Sequence, residues 1–194
     1  MEQADYLHEE LIRKRRTYKS LMWVGLLSVI MLFAGLTSAY IVRQAEGNWL
    51  YFAMPTSFYW STFFIVLSSA TIFPIARFAK AGNRKMVSYS LLATFALGIA
   101  FTYSQFSGWD ELVAAGVFFA GTESNASGSF LYVITGAHLA HLAGGLFALI
   151  FSWIKNALGK YDSENYTGLE LTAMYWHFLD LLWIYLLLFL VYIR

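Results

Sequence analysis

The chain has no cysteine, which removes disulfides, iron–sulfur ligation and thiol chemistry from consideration. It has only two prolines, Pro55 and Pro74, so little in it interrupts a helix. Charge is scarce: 13% of the 194 residues are Asp, Glu, Lys or Arg, where soluble domains carry about 25%. A net charge of +1 leaves no basic footprint for nucleic acid. The motifs of soluble enzymes are missing too, with no phosphate-binding glycine loop, nucleophile elbow or H-E-x-x-H zinc helix.

What remains is apolar. Hydrophobic residues make up 59% of the chain and aromatic residues 19%. Apolar runs of about 20 residues recur, each long enough to cross a hydrocarbon core of about 30 Å. Five are separable, at 20–42, 55–76, 87–106, 129–154 and 172–193. With no internal repeat and no low-complexity linker, the expectation is an all-α polytopic membrane protein. Its five transmembrane helices form one domain over 19–194, preceded by a polar, helical segment at 1–18. That segment, MEQADYLHEELIRKRRTY, is too polar for the apolar part of a cleavable signal, and the first apolar run is too long for one. It reads as a retained anchor.

Lys and Arg set the orientation. Arg13, Lys14, Arg15, Arg16 and Lys19 precede the first run, Arg77, Lys80, Arg84 and Lys85 separate the second from the third, and Lys155 and Lys160 separate the fourth from the fifth. Five spans put these eleven of thirteen basic residues on one side, leaving Arg43 and Arg194 on the other. The N terminus is therefore expected in the cytoplasm and the C terminus outside. The outer segment 107–128 has no Lys or Arg and contains LVAAGVFFAG. That stretch is too short to span and is expected at the interface or against a partner.

Polar groups within the runs are the candidates for chemistry. The fourth run carries GAHLAHLAGG, with His138 and His141 three apart and so on adjacent turns. The third ends in GIAFTYSQF with Gln105, and the fifth holds His177 and Asp180, again three apart. Three readings are open. The first is structural: a neutral histidine or a paired aspartate hydrogen-bonds across helices or to another subunit. The second is haem ligation, since His141 and His177 lie at similar depth, about 18 and 22 Å from the outer side at ~1.5 Å per residue. The third is a proton relay or ion path, the usual suspicion for an intramembrane carboxylate. A charged Asp near mid-span costs about 2.5–3.5 kcal/mol on insertion scales, so Asp180 is expected to be buried in protein, with His177 as its nearest partner. Trp176 and Trp183 flank the pair, either anchoring at an interface or filling gaps. Gly136, Ala140 and Gly144, like Gly35 and Ala39, are spaced four apart, which lets helix backbones approach closely.

From about residue 18 to its end, the chain resembles subunit III of the haem–copper respiratory oxidases, in a short five-helix bacterial form. YWHFLDLLWIYL (175–186) is similar to the family's closing Y-W-H-F-x-D-x-x-W, and GSFLYVITGAHLAHLAGG (128–145) to its G-S-x-F-x-x-x-T-G-x-H-x-x-H helix. GNRKMVSYSLLATFALGIAFTYSQF (82–106) resembles its N-R-x-x…L-G-x-x-F-x-x-x-Q segment, and LFAGLTSAY (32–40) its F-A-G stretch. Order and spacing agree throughout.

The resemblance implies a non-redox accessory subunit of a proton-pumping oxidase that reduces oxygen to water, cytochrome c oxidase before quinol oxidase. It implies no haem or copper and no catalytic residue in this chain, since those centres belong to subunit I, with subunit II receiving electrons. It also implies packing against subunit I, bound phospholipid, support of proton uptake and enzyme lifetime, and a bacterial inner (cytoplasmic) membrane location. Membership of a larger respiratory supercomplex stays open. On this reading His177 and Asp180 tie the last helix into its bundle or to the catalytic subunit. Two departures limit the transfer. Long members have two further helices that complete a lipid-holding cleft, and many carry a glutamate where Val29 follows Ser28 here. The rivals are a protein accompanying a nitric oxide reductase, a stand-alone haem b protein using His138 or His141 with His177, and a small transporter coupled through Asp180.

Overall fold

The computed structural model describes residues 2–163 and 165–193, with side chains described at Glu10 and from Ile12 onward. The described residues form helices only: α1 (Glu2–Ala45), α2 (Thr56–Ile72), α3 (Ile75–Lys80), α4 (Arg84–Ala114), α5 (Ala126–Ala157) and α6 (Thr167–Tyr192). Five segments are long and apolar enough to cross a membrane, α2 and α3 counting together as Thr56–Lys80. The break between them falls at Pro74, which brings no N–H to the helix ladder.

α1, α4 and α5 overrun both ends of the apolar stretches that announced them, and α6 begins before its own. The polar segment 1–18 continues into α1 without a break. The outer segment expected to run from 107 to 128 is shorter, since residues 107–114 belong to α4. Its first residues complete α4, where Leu112 is buried, and Val117 tucks back with its amide on the Leu112 carbonyl at 2.9 Å. The stretch LVAAGVFFAG packs at its start into the chain's own bundle. Within the same stretch Val113 and Phe119 remain exposed. Arg194, one of the two basic residues assigned to the outer side, lies outside the described residues.

Buried positions explain the architecture. On α6 they include Leu169, Thr172, Trp176, Leu179, Trp183, Leu186 and Leu190; on α2 they are Phe58, Ser61, Ile65, Ser68 and Ile72. On α4 they include Val87, Leu91, Thr94, Gly98, Phe101, Gln105, Gly108 and Leu112; on α5, Leu131, Thr135, His138, Leu142, Gly145, Leu149, Ser152 and Asn156. Every set steps alternately by three and four. That spacing is the seam of helices packed knobs-into-holes at about 20°. Contacts run α2 to α4, α4 to α5, α5 to α6 and α6 back to α2, closing a ring of four antiparallel helices, and α1 leans on α5 and α6.

Volume matching sets the layers. Trp176 is fully buried because Gly98 and Gly145 face it: an added Cβ at Gly98 would stand 2.8 Å from its ring, and one at Gly145 3.2 Å. Gly108 makes room for Phe58 in the same way.

Candidate functional site

Two groups of polar side chains inside the ring hold most of the candidate residues. The outer one is built around Trp183, at 0% exposure. Its ring meets Phe58 and Phe101 edge-on at 5.7 and 5.2 Å and lies tilted over His138 at 5.2 Å, while its indole N–H donates to Thr62 Oγ1 at 2.9 Å. His138 is fully buried between Trp183 and Phe101, and neither ring nitrogen has a hydrogen-bond partner within the chain. Gln105 is equally buried; its Nε2 donates to Ser61 Oγ at 2.8 Å and its Oε1 has no partner within the chain. Below Glu111, Trp109 Nε1 donates to Thr135 Oγ1 at 3.1 Å.

The second group lies about two helical turns away along α2 and α6. His177 Nδ1 and the Ser69 hydroxyl are 2.6 Å apart, joining α6 to α2. Asp180 Oδ2 stands 4.0 Å from the same ring nitrogen, beyond hydrogen-bond reach. Asp180 is 3% exposed, and neither carboxylate oxygen has a hydrogen-bond partner within the chain. The partner that sequence spacing assigned to His177 was Asp180; the ring instead turns toward Ser69, which reaches it from another helix. Beside them Trp176 Nε1 donates to Ser68 Oγ at 2.8 Å, and Thr71 pairs with Thr94 at 2.8 Å. Trp176 and Trp183 are thus core residues.

His138 and His141 look toward different neighbours. His141 Nδ1 lies 2.8 Å from the Ala137 carbonyl of its own helix, and its ring meets Phe33 of α1 at 5.6 Å. With His177 on Ser69, these three histidines each have their own surroundings. Among the described residues no group of three or more His, Asp or Glu is placed to hold a metal ion.

The small-residue stripes are divided similarly. Gly35, Ala39, Ala140 and Gly144 are exposed, and a Cβ at Gly35 meets nothing within 4 Å. Gly136 is half-buried, 4.0 Å from Trp109.

Sequence reasoning missed the serine and threonine partners. Their signal was present: Ser61 and Ser68 occupy the same seam as Phe58, Ile65 and Ile72, which places their hydroxyls inward. It also missed two carboxylates at the ends. Glu170 on α6 pairs with Arg15 and, at 2.9 Å, with Lys19, tying α1 to α6. Glu111 accepts the Thr56 amide at 2.7 Å and the Ser57 hydroxyl, capping α2; an acidic group at a helix N-terminus offsets its partial positive charge. Beyond the spans, burial pushes the Tyr161 phenol upward from its usual range. Gly168 accommodates that ring closely.

A family model described as cytochrome c oxidase subunit III matches residues 15–194. The chain belongs to this family. A probable cytochrome c oxidase subunit 3 of Mycobacterium bovis is 31% identical over 185 residues, covering 90% of this chain and 86% of its own. One of Mycobacterium leprae is 32% identical over 184 residues, covering 88% and 85%. The cytochrome c oxidase subunit 3 of Glycine max is 36% identical over 123 residues, 63% of this chain and 44% of its own.

Proposed function

We propose that this chain is the accessory third subunit of a proton-pumping terminal oxidase, acting by packing and not by redox chemistry. The observation that carries the reading is the match to the family over residues 15–194, in a chain whose interior polar groups pair helices with one another. The oxidase reduces oxygen to water through haem and copper held in other subunits. The names of the relatives favour cytochrome c over quinol as the electron source. Subunit I is the direct neighbour, subunit II shares the complex, and phospholipid fills the remaining lipid-facing surface.

Broad apolar surfaces support a membrane partner. Leu21, Val24 and Met31 on α1, and Trp60, Phe63 and Val66 on α2, are exposed. His177 is the point where the polar interior approaches the outside: its side chain is 32% exposed and its ring meets the exposed Phe73 at 6.3 Å. That supports His177, held by Ser69, stiffening the α2–α6 face for subunit contact. The basic bias supports an N terminus in the cytoplasm and a C terminus in the periplasm of a bacterial inner membrane.

Affinity purification of the tagged chain from native membranes tests the reading. A haem-containing large subunit is expected in the eluate. Recovery of this chain alone under conditions that keep other respiratory complexes whole would contradict it.

A further inference from the structure

His138 and Gln105 lie in one layer of the four-helix ring. Phe101 meets the His138 ring at 5.8 Å, and Gln105 follows Phe101 by one turn along α4. Trp109, a further turn on, donates to Thr135, which precedes His138 by one turn on α5. Gln105 therefore sits between two contacts that join α4 to α5, within about one turn of His138 in depth. Ser61 of α2 and Trp183 of α6 complete the layer, the first bonded to Gln105 and the second tilted over His138.

Three hydroxyls here have already used their protons. Ser61 Oγ donates to the Phe58 carbonyl at 2.8 Å, so toward Gln105 it can only accept. That fixes the amide, with Nε2 on Ser61 and Oε1 turned away from it. Thr62 gives its proton to the same carbonyl and accepts from Trp183. Thr135 gives its own to the Leu131 carbonyl and accepts from Trp109. None of the three has a proton left for Gln105 Oε1 or for His138.

What remains selects a ligand. Gln105 Oε1 accepts only, while a neutral imidazole offers one N–H and one bare nitrogen. Both side chains are 0% exposed, and these atoms have no partner within the chain. An apolar occupant would satisfy neither residue, and an anion would face the amide oxygen. A cation would find no carboxylate beside the imidazole, and among the described residues no group of three or more His, Asp or Glu is placed to hold a metal ion. Water both donates and accepts, and so meets both needs.

We propose that this layer holds ordered water, hydrogen-bonded to Gln105 Oε1 and to a ring nitrogen of His138. Buried waters occur about once per 27 residues and take two to four polar partners each; Gln105 and His138 supply two, from different helices. The water joins α4 to α5 where Ser61 joins α2 to α4 and Thr62 joins α2 to α6. The inference rests on this layer alone and is independent of the oxidase role.

Proton-detected solid-state NMR of the full chain in lipid bilayers, with nitrogen-labelled histidine, tests it. Magnetisation that starts on water is expected to reach the His138 ring, identified by the signal missing from His138→Phe. Gln105→Met, close in volume but without the amide oxygen, should lose that transfer. Thr94→Val, in the second polar group, should leave it unchanged. If Gln105→Met does not fold, the unsubstituted chain decides, because a dry layer gives His138 no transfer at any mixing time. Absence of transfer in the unsubstituted chain, its persistence in Gln105→Met, or an equal loss in Thr94→Val would each overturn the proposal.

Discussion

Asp180 and Ser69 have opposite roles in the same group, although both stand near His177. Ser69 supplies the hydrogen bond to Nδ1 at 2.6 Å, whereas Asp180 is buried without one inside the chain. Removing one partner of a buried bond costs about 1–3 kcal/mol, while exchanging an unsatisfied polar group for a milder one does not. The Ser69–His177 bond is part-buried, so Ser69→Ala should lower the thermal stability of the detergent-solubilised chain by about 0.5–1.5 kcal/mol, and Asp180→Asn should leave it unchanged or higher. Assembly with subunit I should follow the same order. Normal assembly of both variants with abolished turnover would favour a proton path through the pair. The importance of His177, Asp180, His138 and Gln105 was legible in the sequence because polar groups stand out against apolar spans. Their partners were not. Ser, Thr and Trp are common in such helices, and only the ring of four helices decides that Ser69 reaches His177 and that Trp183 covers His138.

At the level of the helix, the spans were legible and their ends were not. Hydropathy marks where a helix enters the apolar layer, yet α1 extends through residues 2–18 and α4 through 107–114, where Arg15 and Glu111 find partners on other helices. Glu170 holds Arg15 and Lys19, and Glu111 caps α2. Small residues showed the same limit. Spacing four apart drew attention to Gly35, Ala39, Gly136, Ala140 and Gly144, but the tight approaches occur at Gly98, Gly108 and Gly145, where a neighbouring Trp or Phe needs the space. Gly98→Ala should force Trp176 and Leu146 to shift, at about 1–3 kcal/mol for overpacking. Gly35→Ala, with nothing within 4 Å, should leave the chain's own stability unaltered. Thermal unfolding in detergent separates the two, and equal destabilisation would mean that helix packing differs from that described. If Gly35 and Ala39 serve a neighbouring subunit, Gly35→Leu should weaken co-purification while sparing the fold.

The whole molecule is a ring of four antiparallel helices with α1 on its flank, and its surface is apolar along the spans. Such a body gains function by what it covers. Single cysteines placed in the cysteine-free chain should map its orientation: external labelling reaches position 119 and not position 82, and the reverse would overturn the proposed topology. The central claim, that this subunit supports subunit I without taking part in electron transfer, has a more direct test. Haem spectrum, initial rate and rate decay during turnover are compared for the oxidase with and without this chain. The spectrum and initial electron transfer should stay largely intact, while activity decays faster, because stripping the bundle exposes subunit I and loosens bound lipid. Proton uptake should slow most at higher pH, though less than lifetime falls, since Val29 stands where many relatives of the resembled family carry a carboxylate. Unchanged endurance, or loss of the haem signal at the outset, would contradict the account.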